Sequence, residues 1–500
     1  MAGTVNLASL VDTHPSGQRA FHDGSRWWTW GEVRGCAQAI AASVRDSGIA
    51  PGDRVALALP TSPAFAAAYL GVLGVGAVAV PLDVSSPAAE RDRNIATAEV
   101  ALVIDDESSF LGEALAGAPV LQALGALERS ADDTAVMLFT SGTGGLPKPA
   151  MLTHGSLLAN LRQMLAIPGG VVSPGDVALG AIPMSHVFGL NVVLGMTLAA
   201  GVPLVCTERF DARGSLALVR EHGVTVVTGA PGMFAAWVDL PDRAGDELRG
   251  LRLALCGSAP LPPELSREFE ERFGVALDQG YGLTEASAAV TSTLGRDLVS
   301  GEALTPMQAR RRASVGRPLP GIELRLVDTR LVNGASDEDA ADAIAGDPGE
   351  IWVRGPNVFA GYWRDDAATA EVLTADGWLR TGDVGVLDDA GDLFVVDRLK
   401  DLIVVSGFNV YPEEVEKVLE SAPGVSEAVV IGSPHPLSGE AVEAVVVARS
   451  GASVTEAAVM EHCARHLATY KCPVSIRVAD AIPKGPTGKV LRRQLRRSPA

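Results

Sequence analysis

The strongest constraint on this chain is an alternation. Up to about Lys400, stretches with helical apolar spacing are followed again and again by short, uncharged, β-branched runs. TWGEVRGCAQAIAASVRDSG reads as a helix with Thr29 as its N-cap and Gly48 closing it. VALALP follows as a buried strand. AFAAAYLGVLG then AVAVPL repeat the pattern, and LALVREHG then VTVVTGAP repeat it again. Alternation of this kind builds α/β layers around a largely parallel sheet. A chain of 500 residues is too long for one core, so roughly two to four domains or subdomains are expected.

After Lys400 the texture changes. YPEEVEKVLES places Pro412 near a helix start and Val415, Val418 and Leu419 on one face. VSEAVVIGS, AVEAVVVARS, a helix from about Thr455 to Tyr470, and VSIRVAD complete an α+β domain of about 100 residues. The charged segment DRLKD, Asp397–Asp401, is the candidate boundary. It divides the chain into 1–398 and 399–500.

Composition excludes some classes. The formal net charge of −19 disfavours nucleic acid as a partner. The basic tail LRRQLRR reads as a solvated helix end. The cysteines form no CxxC pair and fit a reducing, cytoplasmic setting. MAGTVNLASLVDTHPS has no basic residue before an apolar run, so it does not read as a signal peptide. Ala64–Leu82 is uncharged but ends in GVGAVAVPL, a helix stop followed by a buried strand, so no transmembrane segment is expected. GVGAVA has its glycines after the helix, the reverse of the dinucleotide-binding order. HCARH, His462–His466, lacks the Glu of a metalloprotease helix. Gly334–Pro348 is acidic and reads as a surface loop.

One stretch stands apart: TSGTGGLPKPAML, Thr140–Leu152. Its small residues let the backbone turn tightly and aim N–H groups at an anion. Thr140, Ser141 and Thr143 add hydroxyls and Lys148 adds a charge. It is not the GxxxxGK[ST] loop, because Pro147 stands where the second glycine would be and Pro149 follows the lysine. Taken alone, a flexible turn and a phosphate site are equally good readings.

It is not alone. The stretch resembles the TSGTTGxPKG signature of the adenylate-forming superfamily, which includes acyl-CoA synthetases, adenylation domains of peptide synthetases, and beetle luciferases. More of that pattern follows in order: PMSHVFG, CGSAPL, QGYGLTEAS, GEIWVRGPNVFAGYW, GWLRTGD, DRLKDLIVVSGFNVYPEEVE and PKGPTGK. The resemblance implies a large N-terminal domain of layered α/β subdomains that binds ATP and the acyl group, and a small mobile α+β lid domain. It also implies a reaction in two halves. A carboxylate attacks the α-phosphate of Mg-ATP to give acyl-AMP and pyrophosphate; a thiol then takes the acyl group and releases AMP.

Each matching position inherits an expected role. Lys489 would bridge the attacking carboxylate and the phosphate, two anions that need a cation between them. Glu285 would be the Mg2+ ligand, hard oxygen for a hard cation, and Thr284 would hydrogen-bond the α-phosphate. Tyr281 would stack on adenine, with Gly280 and Gly282 beside it, while Gly257, Ser258 and Ala259 present backbone to the other face. Asp383 would accept from the ribose hydroxyls and Arg398 would support it. Thr140, Ser141, Gly142, Thr143, Gly144 and Lys148 would hold the phosphates that leave as pyrophosphate. His186 would gate the carboxylate end of the acyl pocket. Lys400 sits at the hinge position, and Ser406, Gly407 and Phe408 would line the thiol's channel. The loop departs from the signature at Gly144, which lacks a hydroxyl, and at Pro149, which lacks an N–H, so weaker ATP handling is expected.

The substrate class follows by elimination within the resemblance. HVFGLNVVLG holds no acid to meet an α-amino group, and Gln279–Gly280 replaces the Arg of malonate-type enzymes. Val187, Leu190, Val227, Gly229 and Ala230 are uncharged candidate walls for a fatty or aryl monocarboxylate. Only residues 490–500 follow Lys489, so the acceptor is free coenzyme A or a separate acyl carrier protein; VSGFNVYPEEVE favours coenzyme A. An acyl-AMP ligase serving a carrier protein and a nucleotide-binding member without turnover are the other readings.

Overall fold

Thr29 sets the first long helix. Its extended backbone and its side chain form a capping box with Glu32, each side chain accepting from the other's backbone N–H. The helix Trp30–Asp46 then runs to Gly48, whose φ of +82° ends it. The uncharged helix Pro63–Gly74 packs on it so closely that a Cβ on Gly71 would lie 2.7 Å from the carbonyl of Ala37. Its apolar character therefore serves a buried helix–helix contact, and the strand Val78–Pro81 follows as expected. Among the described residues no helix is long and apolar enough to cross a membrane.

The computed structural model describes residues 5–106, 109–117, 119–140, 147–241, 247–294, 313–328, 341–344, 346–405, 408–435, 439–484 and 490–495. Part of the expected loop Gly334–Pro348 lies outside them. The chain divides into two units, 1–324 with 353–380, and 325–352 with 381–500.

Among the described residues the first unit holds two sheets. One has the order Leu102–Asp105, Arg54–Ala58, Val78–Pro81, Thr134–Thr140, Lys148–Thr153; its first four strands are parallel and the last is antiparallel. The other has nine strands. Its middle runs parallel through Leu277–Leu283, Leu253–Cys256, Val226–Gly229, Ala178–Gly180, Leu204–Cys206 and Arg19–His22. Trp237, Phe234 and Phe269 are fully buried against it, in one core with Val227 of the sheet. The mostly parallel α/β reading thus holds.

The second unit has a five-stranded sheet in which Val425–His435 and Gly439–Ala448 form a long antiparallel pair. The helix Pro412–Glu420 covers it with Val415 and Leu419 fully buried, on the face the sequence indicated. The helix expected over Thr455–Tyr470 is shorter, Glu456–His466. Leu467 is extended (φ −121°, ψ 150°) and packs on the core, and a 3-10 turn Thr469–Lys471 replaces the last turns. Most of a four-stranded sheet also lies here, in the order Glu323–Val327, Gly349–Arg354, Leu379–Leu387, Leu393–Arg398.

Candidate active site

The glycine-rich stretch is a hairpin connection. Thr140 ends one strand and Lys148 opens the next, and the two are register partners. Ser141, Gly142, Thr143 and Gly144 lie outside the described residues. Lys148 Nζ is 2.9 Å from Asp365 and 5.7 Å from the ring centroid of Tyr362. Pro149 stands on the outer side of its strand, facing residues 360–363, and has no N–H to give to that segment. Its carbonyl still accepts from Trp363 N–H at 2.9 Å.

The GYGLTEAS motif crosses a strand pair with a bulge. Tyr281 faces Thr291, the register slips between Tyr281 and Gly282, and the 3-10 turn Thr284–Ala286 follows. A Cβ on Gly282 would lie 1.6 Å from the Ala288 carbonyl, so only glycine fits. Ser287 (φ 56°) and Ala288 (φ 112°) lie in the left-handed region beyond the turn. Ser258 (φ 70°), in CGSAPL, does so as well. Backbone strain of this kind gathers at sites that over-determine it.

Glu285 is held twice: its carbonyl accepts from Phe359 N–H, and its Oε1 accepts from the Tyr362 hydroxyl, each at 2.8 Å. Burial, and then the Glu285 charge, push the Tyr362 phenol upward, so it remains a donor. Behind the turn lies a buried amide cluster. Asn160 Nδ2 donates to Ala289 O at 2.7 Å, Asn191 Nδ2 to Ser287 O at 2.8 Å, and Asn357 Nδ2 to Ala286 O at 2.9 Å. Sequence reasoning missed Asn160, Asn191, Asn357 and Tyr362. The available signal was an amide on the buried face of LLANLRQML, where polar side chains need partners.

CGSAPL and PMSHVFG follow parallel strands, Leu253–Cys256 and Ala178–Gly180, that flank Val226–Gly229 in one sheet. Gly229 pairs with Cys256, and Gly257 N–H donates to Gly229 O at 3.0 Å. A Cβ on Gly257 would come within 2.9 Å of Phe188 Cζ, so the two motifs are in contact. His186 is half-buried and its Nδ1 accepts from Phe188 N–H at 3.2 Å. The π-helical stretch Phe188–Gly195 follows, a form common at functional sites. Val187 and Leu190 are buried in this stretch, whereas Val227 belongs to the hydrophobic core with Phe234 and Trp237.

In the second unit Asp383 is 6% exposed and stands across the antiparallel pair from Arg398. Its N–H donates to Thr381 Oγ1, which donates to Ile351 O. Gly382 N–H donates to Glu350 at 3.1 Å, and burial pushes the Glu350 carboxyl up, with Asp383 adding to the effect. Lys400 lies in the 3-10 turn Leu399–Asp401, and Phe408 opens the strand Phe408–Val410. Ser406, Gly407 and Lys489 lie outside the described residues. The chain on either side of 485–489 is tied down: Lys484 bridges Val490, and Arg492 pairs with Glu416 at 2.6 Å.

A layered, mostly parallel α/β unit and a smaller α+β unit, with the nucleotide-type motifs gathered at strand ends and tight turns, are the architecture of the adenylate-forming enzymes. The AMP-binding enzyme family matches residues 8–363 and the AMP-binding enzyme C-terminal domain matches residues 414–489. The chain belongs to this family. Feruloyl-CoA synthase of an Amycolatopsis species is 36% identical over 490 residues, 96% of this chain and 95% of that one. A long-chain-fatty-acid–CoA ligase of Yersinia pestis is 38% identical over 73% of this chain and 61% of that one. ATP-bound MatB from Rhodopseudomonas palustris has a TM-score of 0.87 at 32% identity, covering 98% of each chain.

Proposed function

We propose that this protein is an AMP-forming acid–thiol ligase that joins an apolar monocarboxylic acid, fatty or aryl, to coenzyme A. The observation that carries the reading is the retention of the whole reactive set, Lys489, Glu285, Thr284 and Asp383, on a chain of this family. A protein that only bound nucleotide would have no use for the bridging lysine.

In the first half-reaction a carboxylate oxygen of the acid attacks the α-phosphorus of ATP. The bond to the β-phosphate oxygen breaks and pyrophosphate leaves. Lys489 would neutralise the approaching anions and Thr284 would donate to the α-phosphate. Lys148, with Thr140, Ser141, Gly142, Thr143 and Gly144, would hold the departing phosphates. In the second half-reaction the thiol sulfur attacks the acyl carbonyl, the bond to AMP breaks, and the thiol proton passes to solvent. Tyr281 and the Gly257–Ala259 backbone would flank adenine, with Asp383 and Arg398 on the ribose.

Glu285 suits Mg2+ that arrives with ATP. No cluster of three or more His, Cys, Asp or Glu able to hold a metal exists among the described residues. Mg2+ is commonly held by one or two carboxylates plus substrate phosphates, so a single carboxylate fits it. When bound, the ion would offset phosphate charge.

We take 1–398 as the ATP- and acyl-binding domain and 399–500 as the lid. The lid would turn at Lys400, presenting Lys489 for adenylation and the Ser406–Phe408 segment for thiol attack. The uncharged Val187 and Leu190, next to His186 in the chain, support an apolar acid, with His186 at its carboxylate end. All five cysteines are unpaired, which supports a cytoplasmic setting. A separate acyl carrier protein is the second candidate acceptor.

The test is pyrophosphate release from Mg-ATP over acids from acetate to palmitate, benzoates, cinnamates and amino acids, with and without coenzyme A. Turnover on an apolar acid that needs coenzyme A supports the reading. A single burst that coenzyme A does not extend points to the carrier protein, and turnover on amino acids alone overturns the substrate class.

A further inference from the structure

The motif GEIWVRGPNVFAGYW has no role in the reaction as proposed, yet its second half touches both ends of the phosphate site. On one side it grips the Thr284–Ala286 turn through three hydrogen bonds: Asn357 Nδ2 to Ala286 O at 2.9 Å, Phe359 N–H to Glu285 O at 2.8 Å, and Tyr362 hydroxyl to Glu285 Oε1 at 2.8 Å. On the other side it zips to the strand that begins with Lys148. Ala360 N–H donates to Met151 O, Met151 N–H to Gly361 O, and Trp363 N–H to Pro149 O, each at 2.9 Å. Asn357, Phe359 and Tyr362 are 1%, 3% and 6% exposed. Gly361 lets the chain serve both sides, because its φ of +118° and the contact of a Cβ with Thr369 Cγ2 at 2.7 Å rule out larger residues.

We propose that residues 357–363 brace the site, and that Tyr362 is the positioning residue for the metal-binding carboxylate of Glu285. The hydroxyl occupies Oε1, so Oε2 is the oxygen a cation would take. A metal-binding carboxylate that loses such a partner rotates freely and must be ordered anew at each binding event, which weakens the metal by about 10–100-fold. Because the same residues are hydrogen-bonded to the Lys148 strand, the brace also fixes the separation between the metal carboxylate and the phosphate lysine. This inference rests on the reading of Glu285 as the Mg2+ carboxylate.

The test uses the full chain and Tyr362→Phe, which keeps the buried ring and removes the hydroxyl. ATP binding is measured by calorimetry across a Mg2+ series without acid, and AMP binding is measured without metal. Glu285→Gln runs beside it. The expected result is a Mg2+ requirement about 10–100-fold higher in Tyr362→Phe, with AMP affinity unchanged. A general structural defect would weaken AMP as well, and that result would overturn the positioning role. A raised requirement in Glu285→Gln with none in Tyr362→Phe overturns the inference alone. No change in either variant overturns the metal reading of Glu285 and the inference with it. Asn357→Asp provides a second variant: it keeps an oxygen at the position and loses the donor to Ala286. It should raise the Mg2+ requirement in the same direction, and an unchanged requirement would exclude the brace.

Discussion

The ammonium of Lys148 lies 2.9 Å from the carboxylate of Asp365, and that carboxylate also caps the helix Asp366–Val372 by accepting from Ala368 N–H. A triphosphate that takes Lys148 must draw it from Asp365. Asp365→Asn keeps a capping oxygen and removes the competing charge. It should bind ATP a few-fold more tightly, leave AMP affinity unchanged and melt near the wild-type temperature. Asp365→Ala also loses the cap and should melt lower. Calorimetry and thermal denaturation check both; an ATP affinity in Asp365→Asn equal to that of the wild type would remove Asp365 as a competitor.

Lys489→Ala should separate the half-reactions. Acid-dependent ATP–pyrophosphate exchange should fall by at least about 100-fold, the scale of losing one charge-stabilising donor. Thioester formation from supplied acyl-AMP should persist, because that step needs no phosphate bridge. Equal losses in both steps would assign Lys489 a structural role.

The two departures in the glycine-rich stretch have opposite consequences. Gly144→Thr restores a hydroxyl donor and should lower the KM for ATP. Pro149 keeps its carbonyl bond to Trp363 N–H, and its fixed φ limits the unfolded chain more than the folded one. Pro149→Gly should therefore cost about 0.4–1 kcal/mol in urea denaturation. A gain in stability would show that the proline is strained.

His154 makes stability fall in acid. It is fully buried, Leu7 N–H donates to its Nδ1 at 3.2 Å, and its Nε2 has no hydrogen-bond partner among the described residues. Burial first, and then Arg129, hold the ring down to about 4 from the ordinary 6.5, against a weaker pull from Asp133. The unfolded chain thus binds more protons between these values. The contribution is complete above 6.5 and is lost as pH falls toward 4, by roughly 3 kcal/mol at about 1.4 kcal/mol per unit. Urea midpoints across this range should slope less in His154→Gln; parallel curves would refute the assignment.

Gly361→Ala should destabilise by about 1–3 kcal/mol, the usual cost of a side chain held in a sparsely populated backbone region. The loss should appear as a lower melting temperature and a weaker response to Mg-ATP. An unchanged melting temperature would show that the segment relaxes at no cost.

Much of this was legible in the sequence. Apolar periodicity marks Trp30–Asp46, Pro63–Gly74 and Pro412–Glu420 because each buries one face or all of it. Caps such as Thr29 with Glu32 are local and can be read directly. The motif glycines are legible as places of close approach, although not what approaches: Ala288 O at Gly282 and Phe188 at Gly257 come from distant parts of the chain. The helix stops at His466, short of the Tyr470 its periodicity predicts, because Leu467 turns into a core that only the folded sheet creates.

The sequence by itself determined the class: alternating α/β elements, a smaller α+β domain, and the ordered motifs of the adenylate-forming family. Those signals are local in the chain, set by periodicity, capping and turn chemistry. The tertiary structure alone decided that Tyr362 meets Glu285, that Asp365 meets Lys148, and that Asn160, Asn191 and Asn357 hold the TEAS turn. These partners are far apart along the chain. Their meeting depends on which strands pair and how closely the elements pack, and neither is written in any one stretch of residues.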